Sequence, residues 1–235
     1  MHLKTVTVHP EKFPDREHHP FNLRLLQSLG RLDVGAPVTF FVGENGTGKT
    51  TLLRAIAKRC GIFIWGDPEC PDPREKKLVQ ALELEWADRP VPGSFFSSEL
   101  FHNFSEIVEE WAEDDPGMLE YFGGKSLVSQ SHGEALLGYF RSRYRIQGLY
   151  FLDEPETALS PRSQIELLNV LARMSREGHA QFLVATHSPI LLACPGASLL
   201  SFDGGRVKPD TYENTQYFRV YSDFLRNPAR YLDRP

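Results

Sequence analysis

Val38-Thr39-Phe40-Phe41-Val42-Gly43-Glu44-Asn45-Gly46-Thr47-Gly48-Lys49-Thr50-Thr51 decides the fold. Its first five residues are apolar, aromatic or β-branched without alternation, which reads as a short parallel strand covered on both faces. The strand runs into G-x-x-x-x-G-K-[ST], and Thr50 to Lys58 beyond it reads as a helix. A strand that feeds a glycine-rich loop and then a helix has a direct physical purpose. Successive backbone N–H groups, freed to turn by glycine, wrap phosphate groups at the positive end of the helix. Gly43, Glu44, Asn45, Gly46, Thr47 and Gly48 would form the cradle, and Lys49 would reach the β- and γ-phosphates of a nucleotide. Thr50 would offer its hydroxyl to Mg²⁺, and Thr51, one position into the helix, would touch the α-phosphate.

Two further apolar runs end in chemistry. Leu149-Tyr150-Phe151-Leu152 leads straight into Asp153-Glu154-Pro155, and Phe182-Leu183-Val184-Ala185 leads into Thr186-His187-Ser188-Pro189. In an open parallel sheet these ends share one edge with the phosphate loop. Asp153 is placed to hold Mg²⁺, Glu154 to take a proton from an attacking water, and His187 to bond the γ-phosphate.

Around these runs, Leu3 to Val8 alternates as a strand does. Helical spacing covers Gly133 to about Ile146 and Arg162 to Arg176. The pattern is α/β, a mostly parallel sheet flanked by helices, with 1–235 expected as one domain. Residues 74–146, rich in aromatics and acidic clusters with no single period, are expected to form an inserted helical lobe that includes a helix over Ser97 to Trp111.

Composition sets the outer bounds. With 235 residues, 41 % apolar and 24 % charged, the chain can bury a core without disulfides or metals. The net charge of −5 supplies no global field for nucleic acid, which leaves the local cluster Arg141, Arg143 and Arg145 as the one basic patch to consider. Cys60, Cys70 and Cys194 form no C-x-x-C pair, so they are expected to be reduced. No stretch matches a signal peptide or a membrane span; the longest apolar run, Phe182 to Leu200, is broken by His187, Pro189 and Pro195. A cytoplasmic location is therefore expected.

Together these residues resemble the ATP-binding cassette (ABC) superfamily of P-loop ATPases, over the stretch from about Val38 to Pro189. The branch they resemble includes SMC-like and overcoming-lysogenization-defect-like ATPases beside transporter subunits. The spelling of Asp153 to Pro161 and of Ala185 to Leu192 is similar to small stand-alone bacterial ATPases. The resemblance implies ATP and Mg²⁺ as cofactors, and it makes Glu154, His187 and Lys49 the catalytic residues and Thr50 and Asp153 the metal ligands. It also implies a signature segment, Ser129-Gln130-Ser131-His132-Gly133-Glu134, in which Ser131 and Gly133 would clamp the γ-phosphate held by a second copy.

The family implication is an ATP-driven homodimerisation switch that acts with an unidentified protein partner in genome maintenance or defence. The alternatives are the ATPase subunit of a membrane transporter, or a nucleotide-dependent assembly module with little turnover. About 80 residues separate Thr50 from the signature, too few for the long arms of SMC-like proteins. Departures from the family pattern are Ser160 in place of a frequent aspartate, no secure lid glutamine (Gln80 or Glu99), and no assigned adenine-stacking aromatic (Phe13 or Phe21).

Overall fold

The computed structural model describes residues 1–67, 72–98, 108–110, 112, 115, 117, 119, 120, 124, 126 and 132–232. Strand β3, Val38–Val42, lies inside a six-stranded sheet of order β5-β6-β7-β3-β8-β9. The neighbours are β5 (Gly93–Ser97), β6 (Gly148–Asp153), β7 (Ala180–Ala185), β8 (Ser198–Ser201) and β9 (Lys208–Asp210); only the β8–β9 pairing is antiparallel. Every residue of β3, β6 and β7 is buried. That explains their continuous apolar spelling, because a strand with helices on both faces has no water side.

The two faces are sorted by the period-two geometry of a strand. Phe40, Tyr150, Leu152, Phe182 and Val184 point into one core, with Phe140 of α4 (His132–Arg143), Tyr144 just beyond it, and Leu167 and Leu171 of α5 (Pro161–Glu177). Phe41, Leu149, Phe151, Leu183 and Ala185 point into the other, with Leu52, Leu53 and Ile56 of α2 (Lys49–Arg59). Here α1 is Arg24–Ser28, α3 is Pro73–Gln80 and α6 is Gln216–Arg226.

The second core is closed by a small antiparallel sheet of order β2-β1-β4, made of Arg31–Asp33, Leu3–Val8 and Leu82–Trp86. Gln181, fully buried on β7, ties that sheet down. Its Oε1 accepts from the N–H groups of His2 and Leu3, both at 2.8 Å. Its Nε2 donates to Leu3 O at 2.8 Å and Val34 O at 2.7 Å. One amide thus satisfies four backbone groups at the seam between the sheets.

Within 74–146, where a helical lobe was expected, the described residues include two strands, while most of 99–131 lies outside them. Leu82–Trp86 and Gly93–Ser97 are strands, and the second is the edge of the main parallel sheet, in register with β6 from Gly93↔Leu149 to Ser97↔Asp153. Leu82-Glu83-Leu84-Glu85-Trp86 carries the alternation of a half-exposed strand, buried at Leu82 and exposed at Glu83 and Glu85. Gly93 is needed where it stands, since a Cβ there would lie 2.0 Å from Leu149 O. The helix expected over Ser97 to Trp111 falls mostly outside the described residues.

Helix α4 ends at Arg143 rather than near Ile146. Tyr139, Phe140 and Tyr144 are buried in the first core, while Arg141 pairs with Glu166 of α5 at 2.5 Å. The basic cluster therefore spends its aromatics on packing and one of its arginines on a neighbouring helix. Replacing Gln181 by Leu strands the four seam groups without partners, and the expected cost is about 3 kcal/mol in urea denaturation. An unchanged midpoint would mean that the amide is not what joins the two sheets.

Candidate functional site

The phosphate loop is built by three left-handed glycines, Gly43 (φ 152°), Gly46 (φ 78°) and Gly48 (φ 95°). Such backbone angles are costly for any residue with a Cβ. Gly48 caps α2 without any side-chain bond to the helix start, so the first N–H groups are left for an anion. Thr47 Oγ1 donates to Glu44 O at 2.8 Å, and Glu44 N–H donates to Asp203 Oδ1 at 2.9 Å. Asp203 follows β8 and was not legible as a site residue. The available signal was an apolar run, Leu199-Leu200, ending at the same sheet edge in Phe202-Asp203-Gly204-Gly205.

Lys49 is nearly inaccessible and folds back on its own loop, donating to Gly43 O at 2.6 Å and Glu44 O at 2.9 Å. Burial pushes its pKa down, and the carboxylates of Glu154, Asp203, Asp153 and Glu44 push it back up. The ammonium therefore sits on two neutral carbonyl oxygens, which a phosphate can displace.

Beside it, Thr50 Oγ1 donates to Asp153 Oδ1 at 2.9 Å. Burial raises the Asp153 carboxyl to about 6, against the bond from Thr50. A hydroxyl and a carboxylate brought into contact at the foot of the phosphate loop are a donor pair of the hard-oxygen type that Mg²⁺ takes, so the residues fit that ion. Among the described residues there is no group of three or more His, Cys, Asp or Glu that could hold a metal on its own.

Glu154 is the only described residue other than glycine with positive φ, at 47°. Its N–H donates to Ala185 O at 2.9 Å, which extends the β6–β7 ladder by one bond while the backbone reverses. The turn brings Glu154 Oε1 to 3.2 Å from His187 Nε2. Strain of this sort is maintained where function needs a side chain re-aimed. The His187 N–H donates to Glu156 Oε1 at 2.6 Å, and Nδ1 meets the hydroxyl of Tyr217, which donates to Gly43 O at 3.0 Å. Neither Glu156 nor Tyr217 was singled out in the sequence; Tyr217 could not be, since nothing local marks a residue of the last helix as a neighbour of the first glycine.

The structure thus gathers Gly43 to Thr50, Asp153, Glu154 and His187 at one sheet edge. Ser131 lies outside the described residues. Gly133 sits in the first turn of α4, where a Cβ would have Ser163, Ala158 and Leu159 as nearest neighbours and none from the phosphate loop. Ser160, in the place of the family's aspartate, caps α5 by accepting from Ser163 N–H at 3.2 Å. Gln80 is exposed at the end of α3, and Glu99 lies outside the described residues, two positions beyond Ser97, the β5 partner of Asp153. Phe21 is fully buried and packs on Phe13 with centroids 4.8 Å apart, so that pair serves the core.

Two solved structures share the fold. One is titled an ATP-binding subunit of an ABC transporter, with a TM-score of 0.53 and 14 % identity over 96 % of this chain and 100 % of that one. The other is the SMC head domain from Thermotoga maritima, with a TM-score of 0.50 and 15 % identity over 90 % and 99 %. The chain has the α/β fold of ABC-type ATPase domains.

Curated relatives of the chain include the achromobactin transport ATP-binding protein CbrD of Dickeya dadantii, 24 % identical over 71 % of this chain and 69 % of that protein. The petrobactin import ATP-binding protein FpuD of Bacillus anthracis is 24 % identical over 67 % and 64 %, so the match spans less than two thirds of its length. The iron(3+)-hydroxamate import ATP-binding protein FhuC of Bacillus subtilis is 26 % identical over 64 % and 62 %. A family model described as "AAA domain, putative AbiEii toxin, Type IV TA system" matches residues 126–193, the stretch that holds Asp153, Glu154 and His187.

The Asp153 carboxyl gives a prediction with a definite sign. Its proton is held more tightly in the folded chain (about 6) than at the ordinary 3.8, so stability falls as pH rises through that window and the full cost is present above it. Asp153→Asn should therefore stabilise the nucleotide-free protein by about 2–3 kcal/mol at pH 8, with the gain fading towards pH 4. Urea titrations at the two pH values measure it. The same variant should lose hydrolysis.

Proposed function

We propose that this ATPase domain works as a nucleotide-closed homodimer that hydrolyses Mg-ATP and passes the opening and closing to a partner protein. The observation that carries the reading is the Glu154–His187 pair at 3.2 Å on the same sheet edge as the Thr50–Asp153 bond and Lys49. Lys49 would leave the carbonyls of Gly43 and Glu44 for the β- and γ-phosphates. Glu154 would take the proton of the attacking water, and His187 would hold the γ-phosphate from the other side. Thr50 and Asp153 would hold Mg²⁺, which would neutralise charge on the phosphates.

One chain offers the phosphate loop and its acids, and Gly133 with Ser131 belongs to a segment suited to a phosphate held elsewhere. A second copy would complete each site. Hydrolysis then leaves like charges in the interface, and the dimer opens.

Between the partner classes, the relatives favour a transporter. Three of them are named as transport or import ATP-binding proteins. The partner would then be a membrane-embedded subunit, and among the described residues no helix is long and apolar enough to cross a membrane. The second reading, a stand-alone switch in defence or genome maintenance, draws on the family model over 126–193, whose description names a toxin system. An assembly module with little turnover has the least support, because Glu154 and His187 lie 3.2 Å apart beside Lys49 and the Thr50–Asp153 bond.

Glu154→Gln is expected to lower turnover by about 100-fold or more while ATP binding is kept. In saturating Mg-ATP that variant should double its mass by light scattering, and a variant that stays monomeric would refute the dimer. Recovered from its native cells in the closed state, it should bring down an integral membrane protein if the transporter reading holds, and a soluble one if the other does.

A further inference from the structure

We propose that Tyr217 is a positioning residue that holds His187 by its Nδ1 nitrogen and keeps Nε2 turned towards Glu154. The proposal rests on the hydrolytic reading of the site given above. Tyr217 stands in the first turn of α6, and that turn is fixed by its cap. Thr215 is almost fully buried, donates its hydroxyl to Tyr212 O at 2.7 Å, and accepts from Phe218 N–H at 3.3 Å. A capped first turn gives the tyrosine a rigid base.

The phenol oxygen meets two groups at once, Gly43 O at 3.0 Å and His187 Nδ1 in a short contact. A phenol has one proton, and a backbone carbonyl can only accept. The tyrosine proton therefore goes to Gly43, and its oxygen accepts from the ring. His187 must then carry a hydrogen on Nδ1, and Nε2, 3.2 Å from Glu154 Oε1, faces the reacting side, where it needs a hydrogen of its own to donate to that carboxylate or to a phosphate. The partner of one ring nitrogen sets what the other can do.

Two more observations agree. The His187 and Tyr217 rings meet edge-on, with centroids 5.2 Å apart and planes crossing at 73°, so the contact holds the ring as well as its proton. Burial and the surrounding carboxylates of Glu44, Asp203, Glu154 and Glu156 raise the Tyr217 hydroxyl well above its ordinary value, so it stays a donor. Gly43 O is also a seat of Lys49 Nζ, at 2.6 Å. One carbonyl thus receives the lysine that must move to the phosphates and the tyrosine that must hold the histidine still.

The test is a four-protein cycle of wild type, Tyr217→Phe, His187→Ala and the double variant, with steady-state ATP hydrolysis as the readout. Tyr217→Phe keeps the ring and removes the hydroxyl. It should lower kcat about tenfold with KM for ATP changed less than about twofold, and it should cost nothing further in the His187→Ala background. Wild-type kcat in Tyr217→Phe, or the same loss in both backgrounds, would overturn the proposal.

Wild-type turnover in His187→Ala would instead remove His187 from the chemistry, and the role of Tyr217 with it. Independently of any variant, ¹⁵N spectra of histidine-labelled wild-type protein should show His187 protonated at Nδ1. An unprotonated Nδ1 contradicts the geometry.

Discussion

Ala185 stands opposite Phe41 on one side and opposite Asp153 on the other. The chemistry of this molecule depends on that parallel register. The ladder continues past both strand ends, with Thr186 N–H donating to Phe41 O at 3.3 Å and Glu154 N–H to Ala185 O at 2.9 Å. Three strands therefore stop together, and the residues just beyond them, Gly43, Glu154 and His187, emerge at one edge. A slip of one residue would exchange the two cores and carry Phe40 and Phe41 to each other's face. The buried aromatics on both faces are thus what holds the catalytic spacing.

That edge carries charge that the folded chain tolerates rather than satisfies. Lys49 is buried on carbonyls, with four carboxylates near enough to bear on it. Asp153 is raised by burial and keeps one hydroxyl for company. Glu154 holds a left-handed turn without being glycine. Each of these costs stability in the folded chain. The site is prepared at the expense of the fold, which is the arrangement expected where binding is meant to do work.

Much of this was legible in the sequence because the deciding signals are local. The run Val38 to Thr51 spells strand, loop and helix within itself, and Leu152-Asp153-Glu154 and Ala185-Thr186-His187 each place a functional group one step from a buried strand. What was missed is what contact across the chain decides. Gly93 to Ser97 looks like loop until its backbone is laid against Leu149 to Asp153, where only glycine fits. Gln181 reads as an odd polar residue in a buried strand until the backbone of Leu3 is brought to it. Asp203 and Tyr217 join the phosphate loop from 159 and 174 residues away, a distance over which no spacing rule applies.

Under the proposed function each ATP site is half built in one chain, with Gly133 of one copy serving the phosphate loop of another. A Cβ at Gly133 meets nothing closer than 3.5 Å, so the position itself accepts a substituent in ordinary van der Waals contact. Complementation between two dead variants therefore tests the claim directly. Lys49→Ala spoils the phosphate loop and Gly133→Asp spoils the clamp, so each alone should be inactive, while a mixed dimer contains one intact site made from both chains. An equal mixture should recover about a quarter of wild-type ATP hydrolysis, from random pairing of two-fold partners. A mixture no more active than its two components would contradict the account.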